Sequence, residues 1–237
     1  WECEKRQSWA DSYGGSYSLA TRYVDSRLEP GAAPVQDMMQ AHINNGMDRT
    51  ELIQQVLIFL IAGSNSTAHA LRMTLLSLIT SPTAYTSLVS EIAAASGAGK
   101  ASSPITWAES QVLPYLGAVV KEGMRMWPSV AGLGFKRVPA NGDSIGGYFI
   151  PGGTEIGQGF QGVGRSKAVW GDDADVFRPE RWLGRGEEEL RRMTAAVDTH
   201  FGHGKYSCLG KPIAMMELHK AVFEVCDLMP GLSMPLS

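Results

Sequence analysis

FGHGKYSCLGKPIA, residues 201–214, is the stretch on which the fold is decided. It sets Phe201, Gly204, Cys208 and Gly210 in the order F-x-x-G-x-x-x-C-x-G, directly ahead of a segment that reads as a helix over about 212–228. A thiolate is stabilised by backbone N–H donors and by the positive end of a helix. Gly202, Gly204 and Gly210 let the backbone turn tightly around the sulfur and leave room for a flat cofactor. Cys3 and Cys226 stand far away, and an odd set of three argues against a disulfide framework and for a single reactive or metal-binding thiol. Zinc held by His200, His203 and Cys208 would lack an evident fourth ligand.

Upstream of the cysteine, residues 159–200 read as mostly irregular, a long loop-rich stretch of the kind that carries function. It contains FRPERW, residues 177–182. Residues 130–158 have the texture of short strands and turns, with Pro151-Gly152-Gly153 turning between two extended pieces. Before them, Pro114 suits a first helical turn and Pro128 stops the helix over about 115–127. On that helix Glu122 and Arg125 are three apart, so carboxylate and guanidinium share one face within pairing reach.

Apolar positions from Leu52 to Leu78 recur at helical spacing and predict one helix over about 50–80, with Asp48 or Thr50 as its cap. Ser81-Pro82 ends it and caps another over 83–95, and two shorter helical segments, 17–27 and 36–44, precede it. The fold class is mainly α with small β-sheets. Net charge is −3 from 21 basic and 24 acidic residues, which excludes a basic nucleic-acid surface. The longest apolar run, 52–62, is broken by Gln54 and Gln55 and is too short to cross a membrane. The chain begins at Trp1, without the charged and apolar order of a signal peptide, and reads as a fragment or a processed product.

The cysteine segment resembles the haem-binding loop of the cytochromes P450, the haem-thiolate monooxygenases. Three further stretches occur in that family's order: Glu122-Gly123-Met124-Arg125 as its E-x-x-R, residues 177–182 as its P-E-R-F-type meander, and Ala62-Gly63-Ser64-Asn65-Ser66-Thr67 as its oxygen-activation signature. KYSCLGKPIA is nearest to filamentous-fungal members similar to pisatin demethylase. The resemblance runs from about residue 17 to 228 and covers only the C-terminal half of the family's fold, so an incomplete fold and a partial or truncated chain are expected.

The resemblance implies haem b as cofactor, with Cys208 as axial iron ligand and Phe201, Gly204 and Gly210 shaping its loop. It implies that Glu122, Arg125 and Arg181 form a structural cluster that ties the loop before the cysteine to the E-x-x-R helix. It places Asn65, Ser66 and Thr67 at the oxygen-activation position. Asn65 stands where an acid is usual and Ser66 where a threonine is usual, and an amide does not relay protons as a carboxylate does. Tyr206 stands where the family often has Arg or His on a haem propionate; Lys205 or Arg137 would then supply the charge. Residues 130–135 would line an apolar substrate pocket.

The activity implied is insertion of one oxygen atom from O2 into an apolar small molecule, a secondary metabolite or aromatic compound, with NADPH-derived electrons delivered by NADPH–cytochrome P450 reductase. The full-length parent would sit at the endoplasmic reticulum membrane. Two alternatives stay open: a truncated, non-catalytic haem-binding remnant, and a haem-thiolate isomerase or dehydratase.

Overall fold

The 31-residue helix Arg49–Ile79 is the longest element with fully described side chains. At about 1.5 Å per residue it extends about 46 Å. Asp48 and Glu51 start it reciprocally: the Glu51 N–H donates to Asp48 Oδ1 and the Asp48 N–H to Glu51 Oε2, both at 2.9 Å. This pairing satisfies two N–H groups that a helix start leaves without partners. The computed structural model describes residues 2–132 and 134–232, with side chains from residue 14 onward. Leu133, within the expected pocket-lining segment 130–135, and residues 233–237 therefore lie outside the described residues.

The chain divides into two units, residues 1–65 and 66–237, with the boundary inside that long helix. In the first unit, α1 (Glu2–Leu28) and α2 (Met38–Asn44) precede α3 (Arg49–Ile79). Ala20, Val24, Met39, Leu52 and Ile53 form its small core. Asp37 caps α2 by accepting from the Gln40 N–H and also holds Arg27 at 2.5 Å.

The second unit holds the larger core. It is built around α4 (Pro82–Gly97), α5 (Trp107–Gln111) and α6 (Pro114–Met126), with the C-terminal helix across them. Leu88, Ile92, Leu116, Val119, Val222 and Phe223 are buried at its centre. Four short strands follow: β1 (Lys136–Arg137), β2 (Asp143–Ile145), β3 (Tyr148–Ile150) and β4 (Glu155–Ile156). Antiparallel β2 and β3 form a hairpin closed by Gly146-Gly147, both at positive φ, as a two-residue turn of matching twist requires. Strand β1 pairs with β4 in the register Lys136↔Ile156 and Arg137↔Glu155.

Residues 159–200 are more regular than the sequence suggested. They contain α7 (Phe160–Gly164), α8 (Lys167–Trp170), a 3₁₀ turn at Pro179–Trp182 and the twelve-residue α9 (Glu187–Asp198). On α9, Met193 and Val197 are buried and Leu190 packs against the core, while Glu187, Glu188 and Glu189 face the positive helix start. Gly186 supplies no capping side chain, so the sequence carries no start signal there. The five-residue α5 was also missed, although Thr106 and Glu109 form a full capping box. Ser81 makes no side-chain cap, and Pro82 in the first turn of α4 does the starting. The last helix, α10, spans Lys211–Leu228. Among the described residues no helix is long and apolar enough to cross a membrane.

Candidate functional site

Glu122, on α6, is completely buried, and so is Arg125 one turn later. Such a carboxylate must have its lone pairs filled, and this one accepts five hydrogen bonds. Arg125 gives Nε at 2.9 Å and Nη2 at 2.8 Å. Arg181 gives Nε at 2.8 Å, the Arg178 backbone gives its N–H at 2.9 Å, and Trp182 gives its indole N–H at 2.9 Å. The structure thus brings Glu122, Arg125 and Arg181 together.

The guanidiniums spend their remaining donors on main-chain oxygens. Arg125 reaches the carbonyls of Gly164, Ala174 and Val176. Arg181 reaches those of Trp170, Asp173 and Val176. Five carbonyls of an otherwise loosely laddered stretch are therefore fixed to α6 through Arg125 and to the 3₁₀ turn at Pro179–Trp182 through Arg181. Asp173 adds a second carboxylate to Arg181 and Arg178. Partial burial pushes its carboxyl up, but those two guanidiniums outweigh burial and hold it below its ordinary value. Removing one member of such a set costs more than the set contributes as a whole.

Downstream of α9 the cysteine loop turns on Gly202, whose φ is +70° and whose added Cβ would sit 2.5 Å from the Tyr206 carbonyl oxygen. The loop closes through the Cys208 N–H, which donates to the Phe201 carbonyl at 2.6 Å. Phe201 packs against the core, and Lys211 lies 5.4 Å from its ring centroid while pairing with Asp198. Gly204 begins a 3₁₀ turn through Tyr206, and Gly210 is the N-cap of α10, 3.8 Å from the sulfur by its missing Cβ. Cys208 itself is exposed, whereas Cys226 is buried and burial pushes its thiol up to about 11. Around Cys208 the exposed side chains include three large apolar ones, Leu209 at 75% exposure, Tyr206 at 60% and Ile213 at 49%, beside the exposed Lys205.

Among the described residues no three His, Cys, Asp or Glu side chains are arranged to hold a metal ion, so the zinc alternative has no support. His200 lies edge-on to Phe160, and its burial pushes its imidazole below the ordinary value. Arg137, on β1, pairs with Glu155 at 3.1 Å in an exposed position. Lys205 is exposed, with its ammonium 5.0 Å from the Tyr206 ring centroid. Asn65, Ser66 and Thr67 follow one another within α3, and the Ser129 hydroxyl donates to the Ser66 carbonyl at 2.8 Å.

Trp182 and Lys136 were not singled out from the sequence. Trp182 carries a readable signal, since a tryptophan that ends P-E-R-x beside a buried acid brings an N–H needing an acceptor. Lys136 sits with its ammonium 3.9 Å from the Tyr206 ring centroid.

A family model described as cytochrome P450 matches residues 23–225. The chain is 40% identical over 213 residues to the cytochrome P450 monooxygenase aba1 of Botryotinia fuckeliana, a match covering 90% of this chain and 42% of that protein. To ABA1 of Pyricularia oryzae it is 41% identical over 203 residues, covering 85% and 40%. To the cytochrome P450 monooxygenase cicH of Emericella nidulans it is 44% identical over 162 residues, covering 68% and 32%. The crystal structure of a cytochrome P450, CYP102L1, superposes with a TM-score of 0.74 at 25% identity, over 94% of this chain and 51% of that one. The chain thus spans about 42% of the length of the first of these relatives.

Proposed function

Since the chain belongs to the cytochrome P450 family, we propose that it carries the haem-thiolate half of a monooxygenase of fungal secondary metabolism, with Cys208 as the axial ligand. The observation that carries the reading is the exposed Cys208 thiol, fixed by its own N–H on a glycine-turned loop at the start of α10. A soft sulfur donor with open access suits iron, and the exposed apolar side chains of Leu209, Ile213 and Tyr206 suit the face of a porphyrin. When bound, haem supplies an iron centre at which electrons from a reductase and O2 are used to oxygenate an apolar molecule.

The chain's own residues have separate tasks in this reading. Cys208 holds the iron, and Phe201, Gly204 and Gly210 hold the loop around the sulfur. Glu122, Arg125 and Arg181 do no chemistry; they fix the segment before that loop. The hydroxyls of Ser66 and Thr67 can give and take a proton, whereas the amide of Asn65 cannot release one as a carboxylic acid does. In this reading the exposed apolar side chains of Val130 and Phe135 face the ligand, whose class is an apolar secondary metabolite or aromatic compound. Electrons come from NADPH through NADPH–cytochrome P450 reductase, and the full-length protein resides at the endoplasmic reticulum membrane.

The test is the reduced carbon-monoxide difference spectrum of the haem-loaded chain. A thiolate-type band that disappears in Cys208→Ser supports the assignment. A band that survives that substitution shows that another residue is the ligand.

A further inference from the structure

Helix α3 turns one stripe of small residues toward α6 and the chain that follows it. Ser66, Ala70, Thr74 and Ser77 are spaced four, four and three apart, which sets them on a single helix face. Ala70, Thr74 and Ser77 are buried. At the middle of the stripe α6 comes so close that a Cβ on Gly123 would stand 2.0 Å from Thr74 Oγ1. Pro128 then stops α6, and the residues on either side of it reach back to the stripe. The Trp127 indole N–H donates to the Ser77 hydroxyl at 3.0 Å, and that hydroxyl donates to the Met73 carbonyl at 2.8 Å. The Ser129 hydroxyl donates to the Ser66 carbonyl at 2.8 Å. These two pins grip α3 about 16 Å apart along its axis.

The pins differ in kind. Trp127 holds a side chain that is already bonded to its own helix, whereas Ser129 holds a main-chain oxygen. In an α-helix that oxygen accepts the N–H four residues on, so the Ser129 hydroxyl fills its second lone pair. Ser64, Asn65, Ser66 and Thr67 are weak helix formers whose short polar side chains compete for the main-chain groups of α3, and Gly63 adds backbone freedom. An external donor is thus supplied where α3 is least able to hold its own line. Next to Ser129 stands the exposed Val130, so one bond sets the start of segment 130–135 against the main chain of Ser66.

We infer that Ser129 is a positioning residue for the oxygen side of the site: by holding the Ser66 carbonyl it fixes where the Ser66 and Thr67 hydroxyls stand relative to the ligand-facing segment. This rests on the reading of Cys208 as the haem ligand and of those two hydroxyls as the groups that give and take a proton. With an amide at position 65 the hydroxyls carry that task without a neighbouring acid, so their placement counts for more. Ser129 acts through Ser66 and takes no part in bond making.

Two readouts on Ser129→Ala and Ser129→Thr test this. The first is amide hydrogen exchange of the peptide covering 66–71, in the chain with and without haem. Any opening of α3 that moves the Ser66 carbonyl must break the Ser129 bond. Exchange should therefore quicken about fivefold in Ser129→Ala, the equilibrium weight of one neutral hydrogen bond, and return to the parent rate in Ser129→Thr. Position 129 is exposed and has room for the extra methyl group. The second readout is the infrared stretching band of carbon monoxide on the reduced, haem-loaded chain, which reports the polar groups on the oxygen side. Ser129→Ala should turn one sharp band into a broad or split one, and Ser129→Thr should restore it. Trp127→Phe removes the other pin, and should lower the urea midpoint while leaving the band as it is. Equal effects of Ser129→Ala and Trp127→Phe on the band would show a merely structural role and overturn the proposal. Unchanged exchange in Ser129→Ala overturns the pin, and quickened exchange with an unchanged band overturns the positioning role alone. A parent chain without a thiolate-type carbon-monoxide spectrum overturns the haem reading and the positioning role together.

Discussion

Arg125→Ala should remove a large share of the stability of the second unit, and the hydrogen bonds say by how much. Arg125 makes five of them, two to Glu122 and one each to the carbonyls of Gly164, Ala174 and Val176. Truncation leaves Glu122 with Arg181, the Arg178 N–H and the Trp182 indole, so its charge keeps a partner. Val176 keeps Arg181. The Gly164 and Ala174 carbonyls lose the donor that Arg125 gave them, at about 1–3 kcal/mol each. The side chain also packs over the Trp170 ring, 5.3 Å from its centroid, and a void remains there. Together these amount to about 3–6 kcal/mol against a typical total of about 5–15 kcal/mol. With a urea dependence of about 2 kcal/mol per molar, the unfolding midpoint should fall by about 2 M. Far-UV circular dichroism during urea titration reads the midpoint, and haem content after reconstitution reads the consequence for the cysteine loop. A midpoint within about 0.3 M of the parent, or a stable haem-loaded variant, would refute the structural role.

Other perturbations probe other parts of the same unit. Iodoacetamide should label Cys208 quickly and Cys226 hardly at all, because Cys226 is buried and its thiol is pushed up to about 11; peptide mass mapping with and without haem should show Cys208 protected only in the loaded protein. Gly123→Ala should cost about 1–3 kcal/mol, since its Cβ would lie 2.0 Å from Thr74 Oγ1, and Thr74→Ala should partly restore the thermal midpoint. Hydrogen bonds from the Ser102 hydroxyl and from the Thr106 N–H and hydroxyl hold the Glu109 carboxyl down at about 2 instead of 4.5. The folded state therefore gains from this group above about pH 4.5 and loses the gain as pH falls toward about 2. Glu109→Gln should accordingly lower the thermal midpoint near neutral pH, with a difference that vanishes at the acid end.

Some of this was legible in the residues, and the illegible parts share a cause. Helix α3 could be read because its apolar spacing runs over many turns and Asp48 and Glu51 mark its start. The pairing of Glu122 with Arg125 follows from three-residue spacing on a helix, a local rule. Helix α9 escaped because its start is a glycine without a cap, although Leu190, Met193 and Val197 recur at helical spacing. The five carbonyls that Arg125 and Arg181 hold could not be read at all. A main-chain oxygen has no letter in the sequence, so contacts to it leave no pattern. Lys136 and Arg137 are adjacent exposed cations, and the pairing of β1 with β4 that sets Glu155 opposite Arg137 is a long-range fact that no local pattern carries.

Anchoring through main-chain oxygens has a further effect on how this region can change over time. Every residue carries a carbonyl, so Val176, whose side chain is exposed, can change its letter without surrendering the oxygen that both arginines hold. Its neighbours have less latitude: Trp170 also packs its ring against Arg125, and Asp173 also pairs its carboxylate with Arg181. Gly164 has none, because any side chain there would run into the Arg125 carbonyl 2.1 Å away. The segment leading to the cysteine loop thus keeps an invariant trace over a text that can drift only where the main chain alone does the holding.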